Sequence, residues 1–115
     1  MMEVCLMVKG GDIVRALNEF DFTIVSERSN EEYRLYILAI NHKHGQGIMI
    51  SAKNGRNRFN RGSRLTKVDQ RKVVATVLDS HGHPLVGVQT LCSTRLTEIH
   101  SLIRRIAEGA YKRAA

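Results

Sequence analysis

The sequence predicts an α+β domain: a mostly antiparallel sheet of about five to six strands, with a short N-terminal helix and a long C-terminal amphipathic helix packed on one face. Three observations carry this expectation. The middle of the chain is a series of β-rich runs separated by turn residues, a helical stripe closes it, and a shorter stripe stands near its start. With 115 residues, 43% hydrophobic and 25% charged, residues 1–115 read as one domain able to bury a core without disulfides or metals.

"MEVCLMVK" reads as a first strand, broken by Gly10 and Gly11. Asp12 suits the N-cap of a helix over "IVRALNEF", where Ile13, Leu17 and Phe20 share a face, and Asp21 ends it. "FTIVS" is a short strand and "SNEE" a turn. "YRLYILAI" has little alternation of polarity: Tyr33, Leu35, Ile37 and Ala39 fall on one side, Arg34, Tyr36, Leu38 and Ile40 on the other. Such a pattern predicts a central strand covered on both faces, and the second apolar face leaves room for a homodimer. "NHKHGQG" then connects as a hairpin to a strand "IMISA".

Beyond residue 72, Val73, Val74, Thr76 and Val77 followed by the breakers Gly82 and Pro84 predict strand, turn, strand over "KVVATVLDSHGHPLVGVQTLCS". A helix from Thr66, capped by that threonine and stopped at Gly82, is the alternative. In "TRLTEIHSLIRRIAEGAYKR", Leu96, Ile99, Ile103, Ile106 and Ala110 recur at three and four residues, with Leu102 and Tyr111 widening the stripe, so this stretch is an amphipathic helix docked on the sheet.

The net charge of +7 has a location. From Lys53 to Lys72 eight cations (Lys53, Arg56, Arg58, Arg61, Arg64, Lys67, Arg71, Lys72) face one acid, Asp69, while the other ten cations of the chain meet ten acids. The whole excess therefore lies in one segment, which reads as an exposed basic loop at about 53–72. A concentrated patch makes a local field that steers and holds an anion. Arginine forks take phosphate oxygens bidentately or reach base edges, Phe59 offers a stacking surface, Asn54, Asn57 and Asn60 add donors and acceptors, and Gly55 and Gly62 let the chain follow a groove. Arg56, Arg58, Phe59, Arg61 and Arg64 are thus the candidate contacts to nucleic acid, within a field supplied by Lys53, Lys67, Arg71 and Lys72. Arg104, Arg105, Lys112 and Arg113 extend the footprint or form a solvated face beside Glu98 and Glu108. The same loop would also fit an acidic surface on a protein partner, which makes an inhibitor or adaptor the competing reading.

His42 and His44, and His81 and His83, form two His-x-His pairs with Asp79 nearby. Residues two apart on a strand share a face, so each pair can offer two imidazoles to one metal, and a metal-activated water beside the basic loop would make a nuclease. Both pairs fall at hairpin ends, where nothing regular holds the ligands, so no metal or other cofactor is expected. "VKGGDIVRAL" places two glycines before a helix but lacks the remaining residues of a Walker loop or dinucleotide fingerprint. His100 lies at the border of the last helical stripe, and no nucleophile constellation can be argued.

Cys5 and Cys92 are far apart and fit no zinc or redox spacing, so they read as small core hydrophobes kept reduced. The apolar run Val4–Val8 follows Glu3 and is too short for a signal peptide or membrane helix, which points to the cytosol. The expectation is a non-enzymatic, small nucleic-acid-binding accessory or regulatory protein.

Overall fold

The short N-terminal stripe folds as α1 (Gly10–Glu19), burying Ile13, Ala16 and Leu17. The structure, a computed structural model, describes residues 8–53 and 72–112. The expected strand over "MEVCLMVK" therefore falls almost wholly outside the described residues, as does residue 54–71 of the basic segment; Val8 is buried in the core without being in a strand. Asp12 does not cap α1. The helix starts three residues earlier because the amides of Asp12 and Ile13 donate to the Lys9 carbonyl, which leaves Asp12 in the first turn. There its carboxylate faces the positive end of the helix and pairs with Arg15 at 3.0 Å. Asp21 leaves the helix with φ of 60°, a left-handed conformation that aspartate tolerates better than most residues.

Five strands follow: β1 (Phe22–Arg28), β2 (Tyr33–Asn41), β3 (Gly47–Lys53), β4 (Val73–Leu78) and β5 (Leu91–Ser93). They form one antiparallel sheet in sequence order, β1-β2-β3-β4-β5, the simplest arrangement that short turns can join. Val73–Leu78 is a strand, so the alternative of a helix running from residue 66 to Gly82 is excluded over those residues by β-branched side chains pairing with β3. The strand expected after Pro84 is reduced to an isolated bridge between Leu78 and Pro84 and the three residues of β5.

Chain end α2 (Leu96–Ala107) is shorter than the stripe from Thr94 to Arg113 suggested. Gly109, at φ 81°, turns the chain: its amide donates to the Ile106 carbonyl and that of Ala110 to the Arg105 carbonyl, each at 3.0 Å, a Schellman closure. α1 and α2 cover one face of the sheet. Leu35, Ile37 and Ala39 of β2, Ile48, Ile50 and Ala52 of β3, and Val73, Ala75 and Val77 of β4 meet Ile13, Leu17, Ile99, Ile103 and Ile106 in one core. The result is a single α+β domain.

β2 is central, and among the described residues helices cover only one of its sides. No described helix lies over its second face, where Tyr36 and Leu38 are half-buried and Ile40 is 40% exposed. Arg34, expected on that face, sits where the β2–β3 register slips between Tyr33 and Leu35; its guanidinium donates instead to the Val8 carbonyl at 2.7 Å, and burial lowers its pKa.

Candidate functional site

Of the nine residues expected to contact nucleic acid, Lys53 and Lys72 are described; Arg56, Arg58, Phe59, Arg61, Arg64, Lys67 and Arg71 lie outside the described residues. Lys53 ends β3 and Lys72 immediately precedes β4. Ser51 pairs with Val74, and the same antiparallel register carried two places further sets Lys53 across from Lys72. Both lysines line one cavity of about 390 Å³ with Tyr33, Ser51, Val74 and Cys92. A second cavity of about 380 Å³ shares Lys72 and Cys92 and continues around β5 to Arg95 and Glu98.

The register also resolves what the open face presents. One cross-strand row runs Arg28–Tyr36–Ser51–Val74–Cys92 through all five strands, and the next runs Ser26–Leu38–Met49–Thr76. Tyr33 stands edge-on to Tyr36 with ring centroids 5.7 Å apart, Tyr36 donates to the Met49 sulfur at 3.1 Å, and Arg28 donates to the Ser26 hydroxyl at 3.1 Å. None of these row positions is an acid; Glu27, the one carboxylate in β1, pairs with Ile37 of the helix-covered face. Cys92 is a correction: it is exposed, because Ser93 takes the inward position of β5 and leaves Cys92 facing outward beside Val74. Cys5 lies outside the described residues.

The sequence pattern concealed this face. The apolar side chains of "YRLYILAI" suggested double burial, but the partners of that face are Ser51, Thr76 and Lys53 as well as Met49 and Val74. Reading polarity across strands, rather than along β2, is the signal that would have found it.

The opposite end of the sheet holds the histidines. Because Gly47 pairs with Leu78, the β2–β3 and β4–β5 connections emerge at the same end, as a site joining the two His pairs would need. Among the described residues, however, no group of three His, Cys, Asp or Glu side chains is placed to hold a metal ion. The Asp79 carboxylate accepts the amides of His83 at 3.0 Å and His81 at 2.9 Å. The His83 amide foremost, joined by that of His81, holds its carboxyl below the usual range although desolvation pushes the other way. His42 hydrogen-bonds the Thr23 hydroxyl. His44 packs its ring on Gly109, with both ring nitrogens out of solvent and without a described partner. His100 meets Phe20 edge-on at 5.1 Å and lies 3.8 Å from Glu19, a border position as expected.

The cations of α2 are engaged locally: Arg104 lies 3.9 Å from Glu108, and the Arg105 guanidinium stands over the Tyr111 ring at 5.9 Å. Arg113 lies outside the described residues. No helix among the described residues is long and apolar enough to cross a membrane.

Fold and surface together define a two-layer α+β domain in which, among the described residues, one sheet face has no helix over it and no acid at its cross-strand row positions, and Lys53 and Lys72 stand at the end where the basic segment leaves and returns. No model of a protein family matches the chain, and no curated protein or solved structure is significantly similar to it.

Proposed function

We propose that the protein is a non-enzymatic nucleic-acid-binding accessory or regulatory protein of the cytosol, acting through the arginine-rich segment Lys53–Lys72. The observation that carries this reading is the confinement of the whole +7 charge to that segment. In this reading Arg56, Arg58, Arg61 and Arg64 take phosphates or base edges, Phe59 stacks, and Lys53, Lys67, Arg71 and Lys72 supply the field. The arrangement of Lys53 and Lys72 on one cavity supports it, because anion-binding groups at both roots of the segment add to the field of the segment itself.

Phosphate contact releases counterions, so affinity for duplex DNA should fall with salt at a log-log slope on the order of −4 to −7. The test is a salt titration of wild type and of an Arg56/Arg58/Arg61/Arg64→Ala variant, with heparin as a generic polyanion control. The variant keeps its circular dichroism spectrum and loses binding, with a slope shallower by about 3 to 4. A folded variant with unchanged affinity refutes the reading. Wild type that binds heparin and ignores nucleic acid favours the competitor, a module docking its basic segment on an acidic protein.

A further inference from the structure

The open face of the sheet is unaccounted for by an arginine-rich segment alone. It is apolar along β2, hydroxyl-bearing along β3 and β4, and free of acids among the row positions of the described strands. Among the described residues, cations stand at one end of it: Arg28 on β1, Lys53 and Lys72 at the roots of the basic segment, and Arg95 beyond the edge strand. Two of the protein's three tyrosines are at this end, in contact with one another. Two cavities adjoin at Lys72 and Cys92 along this end of the sheet, one lined by Tyr33 and Lys53 and the other by Arg95.

Flat rings beside a line of cations suit a polymer with flat, uncharged bases on an anionic backbone. A duplex keeps its bases stacked on each other and shows phosphates outward, so it cannot use the rings; an unpaired strand can. The larger cavity, about 390 Å³, falls within the range of about 300–1,000 Å³ typical of small-ligand sites, room enough to seat a base. Among the described residues that line the two cavities, Glu98, on the wall of the second, is the one acid. It disfavours a phosphate beside it and so biases the backbone toward Lys53 and Lys72.

Resting on the nucleic-acid reading above, we infer that this face is a seat for single-stranded nucleic acid: a base lies in the cavity against Tyr33, with Tyr36 behind it, and the phosphates pass along Lys53, Lys72 and Arg95. Single strand is thereby preferred over duplex, and Cys92 is covered by the bound strand.

Cys92 makes the face observable without altering it. In a Cys5→Ser background, alkylation of Cys92 by iodoacetamide is followed with and without a saturating twelve-nucleotide oligothymidylate, and again with a duplex of equal length. The expected result is alkylation slowed several-fold by the single strand and little changed by the duplex. In parallel, Tyr33→Leu, which keeps apolar bulk and removes the flat ring, loses single-strand affinity by about 5- to 150-fold while duplex affinity holds. Wild type that binds no nucleic acid ends both the functional reading and this inference. Binding that needs the four arginines but leaves Cys92 alkylation and the Tyr33 variant unaffected overturns the inference alone. Protection of Cys92 that rises with protein concentration in the absence of oligonucleotide also overturns it, since a second copy of the chain then occupies the face.

Discussion

Gly109→Ala is the sharpest available test of how the end of α2 is held. Gly109 has φ of 81°, and a Cβ built there would stand 2.9 Å from Cε1 and 3.1 Å from Nε2 of His44. The left-handed conformation costs an L-residue roughly 1–2 kcal/mol. The alanine also restricts the unfolded chain, which offsets about 0.4–1 kcal/mol of that. The contact with His44 adds more, because the ring is packed out of solvent on a backbone anchored by its amide's bond to Asn41 Oδ1 at 3.1 Å, and any rotation must displace neighbouring atoms. Overpacking of this kind typically costs about 1–3 kcal/mol, so the net loss should be about 2–3 kcal/mol.

Urea denaturation followed by circular dichroism measures it as a lower midpoint at unchanged slope, and the thermal midpoint should fall on the order of 10 °C. Repeating the substitution in a His44→Ala background separates the two causes. With the ring gone, the cost should shrink to the backbone share, about 1 kcal/mol. A Gly109→Ala protein as stable as wild type refutes the positive φ and the contact together. An equal cost in both backgrounds refutes the contact and leaves the backbone as sole cause.

Asn41→Ala should cost about 3 kcal/mol in the same assay, since Asn41, 1% exposed, donates to the Phe20 carbonyl and accepts the His44 amide, and its loss orphans both; a loss under about 1 kcal/mol would mean that water replaces it. Asp79 has a lowered pKa in the folded state, so its contribution is present above the unfolded value of about 3.9 and disappears as pH falls through the lower folded value. The stability gap between wild type and Asp79→Ala should accordingly be open at pH 7 and close in strong acid, and a gap independent of pH would contradict the assignment of the two amide bonds. Purified protein should carry no stoichiometric metal and cleave no nucleic acid in Mg²⁺, Mn²⁺ or Zn²⁺; cleavage lost on His81→Ala and His83→Ala would instead establish a metal nuclease.

The sheet was legible because its signals are local and agree with one another. β-branched residues at Val73, Val74, Thr76 and Val77 and the turn residues at Gly82 and Pro84 mark β4 and its exit without reference to anything distant. What escaped the sequence depended on geometry that periodicity does not carry. The apolar stripe runs on to Tyr111, so it hides the stop at Gly109, which a glycine three residues after Ile106 should have signalled. The acid at position 12 is a good cap in composition, yet the Lys9 carbonyl, three residues upstream of where such a cap would act, is already receiving helical amides. Arg34 belongs to the alternation of β2 until the register slip removes it. Asn41 and Gln46 offered no signal at all: their value lies in reaching the Phe20 carbonyl and, at 2.8 Å, the Tyr111 carbonyl, partners 21 and 65 residues away.

These contacts divide the sheet into two ends of unlike character. At the end carrying the β2–β3 and β4–β5 connections, polar side chains are turned inward on the fold: Asn41 on Phe20, Gln46 on Tyr111, Asp79 on the amides of its own turn, His44 on Gly109. A ligand there would have to displace bonds that hold the hairpins and the last helix in place. At the other end the side chains of Lys53 and Lys72 open onto a cavity, and the helices α1 and α2 both begin, directing the positive ends of their dipoles the same way. An anion arriving at this end meets lysine side chains and two helix dipoles that act in the same direction, whereas the histidine end offers it a carboxylate and two helix C-termini. The sequence singles out both ends as chemically rich, in histidine and in arginine. Electrostatics favours the arginine end, and a substitution that unfolds the histidine end should abolish binding only by abolishing the fold.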